Sequence, residues 1–339
     1  MHENFVIGIA GRWFLRSVGV LLFASAFAVS LGAGNRVRIA PNYIAGETFR
    51  YLIESRTTTS GKVTTPILNP EGAGGSTVSI HLEVLLNVLD ASGGSSQSVP
   101  RLRAIYEKSK ADAQSDAFDP AQPSPSAQYA KLEGRSLEFT VDSRGHIGDI
   151  KGIEDVFLDR TASQLALSWF SEIAVSSTFP ATGIAVGQKW KSERAVEGAP
   201  LSDLIFRAES TYLRDEPCHP EAAAARPASA IAVASDACAV ILTRFAILRR
   251  GSPHSEATPD DYVRNGLRVS GSWTGSGESL DSISLATGFL VRSTQTSDQQ
   301  MDYEIASAST GSKIHNQRRI QSQSEISLVS AAAAVTKPK

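Results

Sequence analysis

The feature that most constrains the fold is an alternation of apolar and mainly polar residues early in the chain. Apolar side chains recur at every second position at Val78, Ile80, Leu82, Val84, Leu86 and Val88. Because successive side chains of a β-strand point to opposite faces, this period predicts a half-buried strand. Leu85 and Leu89 interrupt the polar positions, so we expect the second face to be partly covered as well.

Similar short runs predict further strands, and together they indicate a mainly β (α+β) protein built from curved antiparallel sheet. These strands are expected at residues 49–58, 99–109, 129–141, 146–150, 188–194, 203–213, 238–248, 267–284, 289–296 and 318–329. Residues 112–127 are rich in Asp, Ala, Ser and Pro and have no periodic apolar face, so they are expected to form a mobile loop.

The apolar spacing changes between residues 153 and 174. Trp169, Phe170 and Ile173 can share one broad helical face with the apolar residues that precede them. Gly152 stands just before this stretch and Pro180 just beyond it, as helix boundaries often do. We therefore expect one or two helices, within residues 153–180, that cross over between two β-rich halves and pack on the sheet.

A faint internal repeat suggests that the two halves, residues 35–152 and 181–329, are related. Gly46-Glu-Thr-Phe-Arg is matched by Gly187-Gln-Lys-Trp-Lys, and Gly134-Arg-Ser-Leu-Glu is matched by Gly277-Glu-Ser-Leu-Asp. Chance similarity is the alternative for motifs this short. The tail at residues 330–339 is expected to be disordered.

The first 34 residues have the order of an export signal. Arg12 and Arg16 precede an apolar run at residues 18–31, and small residues follow to Gly34. The run is about fourteen residues long, whereas a membrane-spanning helix needs about twenty. We therefore expect a cleaved signal and a periplasmic or extracellular protein. An uncleaved anchor in the inner membrane and a buried helix are the alternatives.

Cys218 and Cys238 are the two cysteines of the chain. Neither lies near the predicted cleavage site after Ala28 or near Gly34, so we expect no lipid anchor. In an oxidising compartment, two thiols that flank strand-like runs favour a disulfide, which would close the Ala- and Pro-rich loop at residues 219–236. Two free buried thiols are the alternative.

The overall charge disfavours a nucleic-acid partner. Lys and Arg total 33 and Asp and Glu total 35, with no basic run. We expect any partner to be a lipid or other apolar ligand, or an envelope protein.

No pattern in the sequence predicts a catalytic residue, a cofactor site or a metal site. His81 and Glu83 share one side of a strand and could join a metal site, although a solvated polar face is the simpler interpretation. Gly275-Ser-Gly277 lacks the helix that a dinucleotide site needs. Carboxylates such as Glu278 and Asp281 lie close in sequence, but proximity alone supplies no catalytic geometry.

The aromatic residues suggest a different kind of site. A curved sheet covered by a helix can enclose an apolar cavity. The candidate lining residues are Trp169, Phe170, Ile173, Trp190, Trp273 and Phe289. An ordinary filled core is the alternative.

The order of these elements resembles that of exported bacterial β-rich proteins, and Val186-Gly-Gln-Lys-Trp190 is similar to their Val-Gly-x-x-Trp strand. The architecture is also similar to periplasmic lipoprotein and lipid carriers, in which helices cap a curved antiparallel sheet. That resemblance implies an apolar ligand between sheet and helix. It carries no binding residue over to this chain.

Three hypotheses follow for the function. The first is a non-enzymatic envelope protein that binds an apolar or amphiphilic ligand in a cavity between sheet and helix. The second is a structural or protein-interaction module of the cell envelope. The third is a hydrolase whose site has no familiar motif.

Overall fold

The computed structural model describes residues 36–64, 73–90, 99–115, 124–142, 147–152, 169–173, 179–196, 199–218, 236–252 and 256–332. The predicted signal segment lies outside the described residues, as do most of the predicted helical crossover and residues 333–339 of the predicted tail. None of the described helices combines the length and apolar character of a membrane span.

The described residues form one open, curved antiparallel sheet of eleven strands. In chain order the strands are β1 (Thr48–Thr64), β2 (Ala73–Asp90), β3 (Arg101–Ser115), β4 (Ser136–Val141), β5 (Ile147–Lys151), β6 (Lys189–Ala195), β7 (Leu204–Pro217), β8 (Ala237–Arg249), β9 (Leu267–Ser284), β10 (Leu290–Ser307) and β11 (Lys313–Ala332). The mainly β prediction is therefore confirmed, and each predicted strand overlaps one of these eleven.

Two consecutive meanders make up the sheet. The spatial order is β5-β4-β3-β2-β1-β11-β10-β9-β8-β7-β6, so every neighbour except the central pair is also a neighbour in sequence. The central pair, β1 and β11, joins the two predicted halves through a long antiparallel register. The halves therefore share one continuous sheet.

Within the described ranges, three short helical segments accompany the sheet. They are α1 (Pro125–Ala130), α2 (residues 169–173) and α3 (Asp260–Arg264). Ser124 caps α1, because its Oγ accepts a hydrogen bond from the Ala127 N–H at 3.2 Å. The prediction of a loop at residues 112–127 is wrong at both ends, since β3 continues through residue 115 and α1 begins at Pro125.

The strand predicted at residues 129–141 also starts too early, because Tyr129 and Ala130 belong to α1. Leu132 is buried although it lies in the turn after that helix. In the sequence, a buried apolar residue in a turn continues the alternation of a following strand. The alternation alone therefore predicts a strand that begins before β4 does.

The first pair of repeated motifs makes matching hydrogen bonds. The Gly46 N–H donates to the Val88 carbonyl at 2.8 Å, and the Gly187 N–H donates to the Tyr212 carbonyl at 2.7 Å. Both glycines have positive φ, 86° and 82°, which a side chain would disfavour. Each motif thus opens a strand, β1 or β6, in the same way.

The second pair of motifs does not correspond in this way. Gly134 lies in the turn before β4, whereas Gly277 lies inside β9. A Cβ on Gly277 would lie 2.4 Å from the Phe245 ring, so this glycine makes room for a crossing aromatic side chain. A repeat of the two halves is not confirmed.

The sheet has two faces of different character, which β1 illustrates. Tyr51 and Ile53 are fully buried, while Glu54 and Arg56, which follow them at alternate positions, are exposed. The side chains that share the side of Tyr51 and Ile53 form the core, and α2 packs against them. We call this side the covered face and the side of Glu54 and Arg56 the open face.

Candidate functional site

The segment α2 contributes three buried side chains to the covered face. Trp169, Phe170 and Ile173 are at most 4% exposed and belong to the main core cluster. The Phe170 ring centroid lies 5.3 Å from that of Phe139 in β4 and 6.3 Å from that of Tyr106 in β3. These contacts hold α2 against the first half of the sheet through apolar area and ring geometry.

The structure brings five of the six candidate pocket residues into that same cluster. They are Trp169, Phe170, Ile173, Trp190 and Phe289. Phe289 lies at the start of β10, where its ring contacts Tyr43 and Phe49 at centroid distances of 5.1 and 4.2 Å. Trp273 is in a separate cluster, where its indole N–H donates to Gln299 at 3.1 Å.

Next to this apolar region, the side chains of the covered face change from apolar to polar two residues further along the strands. In register across six strands lie Ser55, Ser324, Gln295, Ser279, Thr243 and Ser210. We call these six residues the polar row. Ser210 is 3% exposed and the other members are half-buried, so small polar side chains lie on a face that is largely withdrawn from water.

A pair of carboxyl groups lies at the boundary between the core and the polar row. Glu172 belongs to α2, Asp281 belongs to β9, and Ser293 of β10 lies between them. The Ser293 Oγ is 2.5 Å from Glu172 Oε1 and 2.8 Å from Asp281 Oδ1. Ser279 of the polar row also donates to Asp281, at 3.1 Å.

Both carboxyl groups are pushed toward their protonated forms. Burial, together with the negative charge of Asp281, raises the pKa of Glu172 to about 7, although the hydrogen bond with Ser293 opposes the rise. Burial also raises the pKa of Asp281 to about 6, against hydrogen bonds from Ser293 and Ser279. Near neutral pH this pair therefore holds a proton that exposed carboxylates would lose.

Two adjoining grooves of about 700 and 830 Å³ cross the sheet away from the core. Their charged walls belong to the open face: Lys110 and Asp112 line the first groove and alternate with Ala111, which is 3% exposed. Arg56 and Glu278 line both grooves. The open face is thus a polar surface of mixed charge.

His81 and Glu83 also lie on the open face, as their spacing predicts. Each has a partner of its own, since His81 Nδ1 lies 3.1 Å from Glu54 Oε1 and the Lys108 ammonium lies 2.7 Å from Glu83. Among the residues that the structure describes, no three His, Cys, Asp or Glu side chains cluster in a way that could hold a metal ion.

The predicted disulfide is confirmed. Cys218 and Cys238 are bonded at the loop end of the β7–β8 hairpin. Their side chains pack with Val291 and Leu328 in a small cluster of their own. The loop that the bond closes, residues 219–235, lies outside the described residues.

The acidic pair was only half visible in the sequence. Asp281 lies close to Glu278 in sequence, but positions three apart in a strand face opposite sides, and Glu278 is on the open face. Glu172 and Ser293 carried no motif. The available signal was the spacing along β9. Asp281 is an even number of residues from Val269 and Ile283, which are each 1% exposed, so it lies on the same buried face as they do.

No protein-family model and no curated protein matches this chain. Among solved structures, the chain is similar to lipovitellin, studied for lipid–protein interactions, with a TM-score of 0.44 and 11% identity. That match covers 88% of this chain and 26% of lipovitellin, so the chain spans about a quarter of that protein.

Two bacterial outer-membrane proteins are similar at lower scores. An outer membrane channel from Pseudomonas putida F1 gives a TM-score of 0.21 at 8% identity, covering 85% of this chain and 97% of that chain. The outer membrane protein OprG from Pseudomonas aeruginosa gives 0.19 at 8% identity, covering 86% and 99%. All these scores lie below 0.5, so neither the family nor the function follows from them.

Proposed function

We propose that this chain is a non-enzymatic, exported envelope protein that binds an amphiphilic ligand between α2 and the covered face of its sheet. The observation that carries the proposal is the change from apolar side chains to the polar row within one covered face. An amphiphile has the same two-part character, so its chain would contact the apolar region and its head group the polar row.

The apolar half of the site is provided by residues that already pack against α2. Trp169, Phe170 and Ile173 fill space over the sheet, so a ligand would enter as α2 moves aside. The polar half needs no such movement. Ser55, Ser324 and Ser279 have small side chains, which leave room above the sheet for a head group.

Export is supported by the disulfide and by the predicted signal segment. Disulfides persist in oxidising compartments such as the bacterial periplasm and are rare in the cytosol. The Cys218–Cys238 bond therefore agrees with a periplasmic or extracellular location. The N-terminal order of basic, apolar and small residues independently predicts the same location.

The test is ligand capture followed by ligand binding. The full chain, expressed in a bacterial host and purified from the envelope fraction, is extracted with organic solvent, and the extract is analysed by mass spectrometry. The delipidated protein is then titrated with N-phenyl-1-naphthylamine, an apolar fluorescent probe. We expect a co-purifying amphiphile and saturable binding of the probe, and the absence of both would refute the proposal.

Two matched variants of β11 locate the site. Ser324 is two residues from the fully buried Ile326 and so lies on the covered face, whereas its neighbour Gln323 lies on the open face. Ser324→Phe therefore fills the proposed site while Gln323→Phe adds the same ring outside it. We expect Ser324→Phe to weaken probe binding by about tenfold, which is about 1.4 kcal/mol, and Gln323→Phe to leave it unchanged. Equal effects of the two variants would place the ligand elsewhere.

A second function, a protein-interaction module of the envelope, is favoured by the grooves of the open face. Their walls carry both signs of charge, with Arg56 and Lys110 near Glu278 and Asp112. A polar partner segment would be held there by charge complementarity. Arg56→Glu would then abolish a salt-sensitive pull-down from envelope extracts that Ser324→Phe leaves intact, whereas recovery of the same proteins by both variants would argue against this function.

A further inference from the structure

The contact between Glu172, Ser293 and Asp281 joins α2 to the sheet through polar groups. Glu172 is the member on α2, and the other two belong to neighbouring strands β9 and β10. Glu172 and Ser293 are 121 residues apart in sequence, so their contact depends on the tertiary fold. It is a tertiary link and therefore breaks whenever α2 leaves the covered face.

The number of hydrogens in this contact fixes its protonation. A serine hydroxyl carries one hydrogen, so Ser293 can donate to one carboxylate and must accept a hydrogen from the other group. A carboxyl group can donate only when it is protonated. The observed geometry, with both carboxyl oxygens within 2.8 Å of one Oγ, therefore requires a proton on Glu172 or on Asp281.

No basic side chain among the described residues supplies a positive charge that could replace this proton. In the part of the chain that the structure describes, no Lys, Arg or His forms an ion pair with Glu172 or Asp281. Beside Asp281 on β8 the covered face presents Ile241, and beside Ser293 on β11 it presents Ile326.

The remaining titratable groups around the contact are phenols and one exposed carboxylate. Beyond β8 lies Tyr212 of β7, whose hydroxyl donates to the exposed Asp215. Tyr106 of β3 contacts the Phe170 ring of α2, and Tyr51 of β1 lies two residues from Ile53, the register partner of Ile326. Burial raises the pKa of all three tyrosines above its usual value, so they stay neutral near neutral pH.

We propose that Glu172, Ser293 and Asp281 form a proton-dependent latch that holds α2 on the covered face at mildly acidic pH and releases it as the pH rises to neutral. When both carboxyl groups are ionised, two negative charges share one hydroxyl, and undocking α2 separates them. The latch acts on α2 in the ligand-free protein, so it does not rest on the proposed function.

The sign of the pH dependence follows from the two pKa values. Docked Glu172 has a raised pKa, about 7, and in undocked, solvated α2 it returns toward its ordinary value. The docked form therefore binds more protons between about pH 4.5 and pH 7, and raising the pH through this range favours undocking. Because Glu172 and Asp281 are partly exposed, protons can reach the contact.

Hydrogen–deuterium exchange of the full chain tests the latch directly. Peptides that contain residues 169–173 are followed by mass spectrometry at several pH values, with the intrinsic effect of pH on exchange removed by calculation. We expect the opening constant of α2 to rise by about tenfold between roughly pH 5.5 and pH 8. An opening constant that is flat or falls over this range would overturn the proposal.

Matched variants separate the latch from general effects of pH. Glu172→Gln keeps a hydrogen-bond donor without a charge. The rise in the opening constant of α2 should therefore shrink to less than about threefold, because only the smaller contribution of Asp281 remains. Glu278→Gln removes a carboxylate on the open face of the same strand as Asp281 and should keep the full rise. If Glu172→Gln does not fold, Asp281→Asn provides a partial test from the sheet side, in which the rise should shrink without vanishing because burial still raises the pKa of Glu172. A full rise in the variant that folds would overturn the proposal.

Discussion

Loss of the Cys218–Cys238 bond is expected to destabilise the protein mainly by freeing the unfolded chain. The bond joins the end of β7 to the start of β8 across a sequence separation of 20 residues. In the chain-entropy relation, a loop of that size corresponds to about 11 cal/mol/K, which is about 3 kcal/mol at 25 °C. The native hairpin keeps its ladder of hydrogen bonds when the bond is cut, so this difference should appear as a lower free energy of unfolding.

Packing adds a separate contribution that must be distinguished from the cross-link. Cys238 is fully buried and Cys218 is 9% exposed, in a cluster with Val291. Replacing both cysteines by alanine removes the sulfur atoms as well as the bond, and we expect this truncation to cost about 1 kcal/mol more. The reduced wild-type protein retains the sulfur atoms and loses only the bond.

The assay is urea unfolding followed by tryptophan fluorescence on three samples. These are the oxidised wild type, the wild type in excess dithiothreitol, and the double variant Cys218→Ala/Cys238→Ala. We expect free energies of unfolding lower by about 3 kcal/mol in the second sample and about 4 kcal/mol in the third. A reduced protein within about 1 kcal/mol of the oxidised protein would refute the chain-entropy argument for this loop.

Three further predictions concern the core, the sheet and the acidic pair. Phe170→Ala should lower the free energy of urea unfolding by about 3 kcal/mol, because the Phe170 ring packs between two other rings. Leu280→Ala is the control: this side chain is 41% exposed, and its loss should change the free energy of unfolding by less than about 1 kcal/mol. Gly271→Ala should lower the free energy of unfolding by more than about 2 kcal/mol, read from the thermal midpoint, because its Cβ would lie 2.3 Å from a backbone oxygen of β10. The wild-type free energy of unfolding should fall as the pH rises from about 4.5 to about 7, since Glu172 and Asp281 hold protons that the unfolded chain has lost; urea midpoints that increase over this range would contradict this.

The strands were predictable because one face of the sheet is buried along much of its length. In β2 the alternation from Ile80 to Val88 follows the covered face directly, and every one of its apolar positions is at most 6% exposed. Burial of one side imposes period two on the sequence, so the period can be read back as a strand.

Strand ends were harder to predict where both faces are polar. Strand β10 continues to Ser307 and β11 begins at Lys313, well beyond the predicted ends at residues 296 and 318. In these extensions Ser, Thr, Gln and charged side chains follow one another, and the backbone hydrogen bonds to neighbouring strands hold them in the sheet. Such pairing depends on residues far away in sequence. It leaves no alternation of apolar and polar residues from which a strand could be predicted.

The candidate site shows the same division between local and distant information. The disulfide could be predicted because each cysteine flanks a strand and the predicted compartment is oxidising. Asp281 could have been flagged from its spacing along β9, since a carboxylate on the buried side of a strand requires a partner. Its partners could not be predicted, because Glu172 reaches it from another part of the chain through Ser293. A carboxylate that local pattern places on a buried face therefore marks where a distant polar contact must exist, and only the tertiary structure identifies that contact.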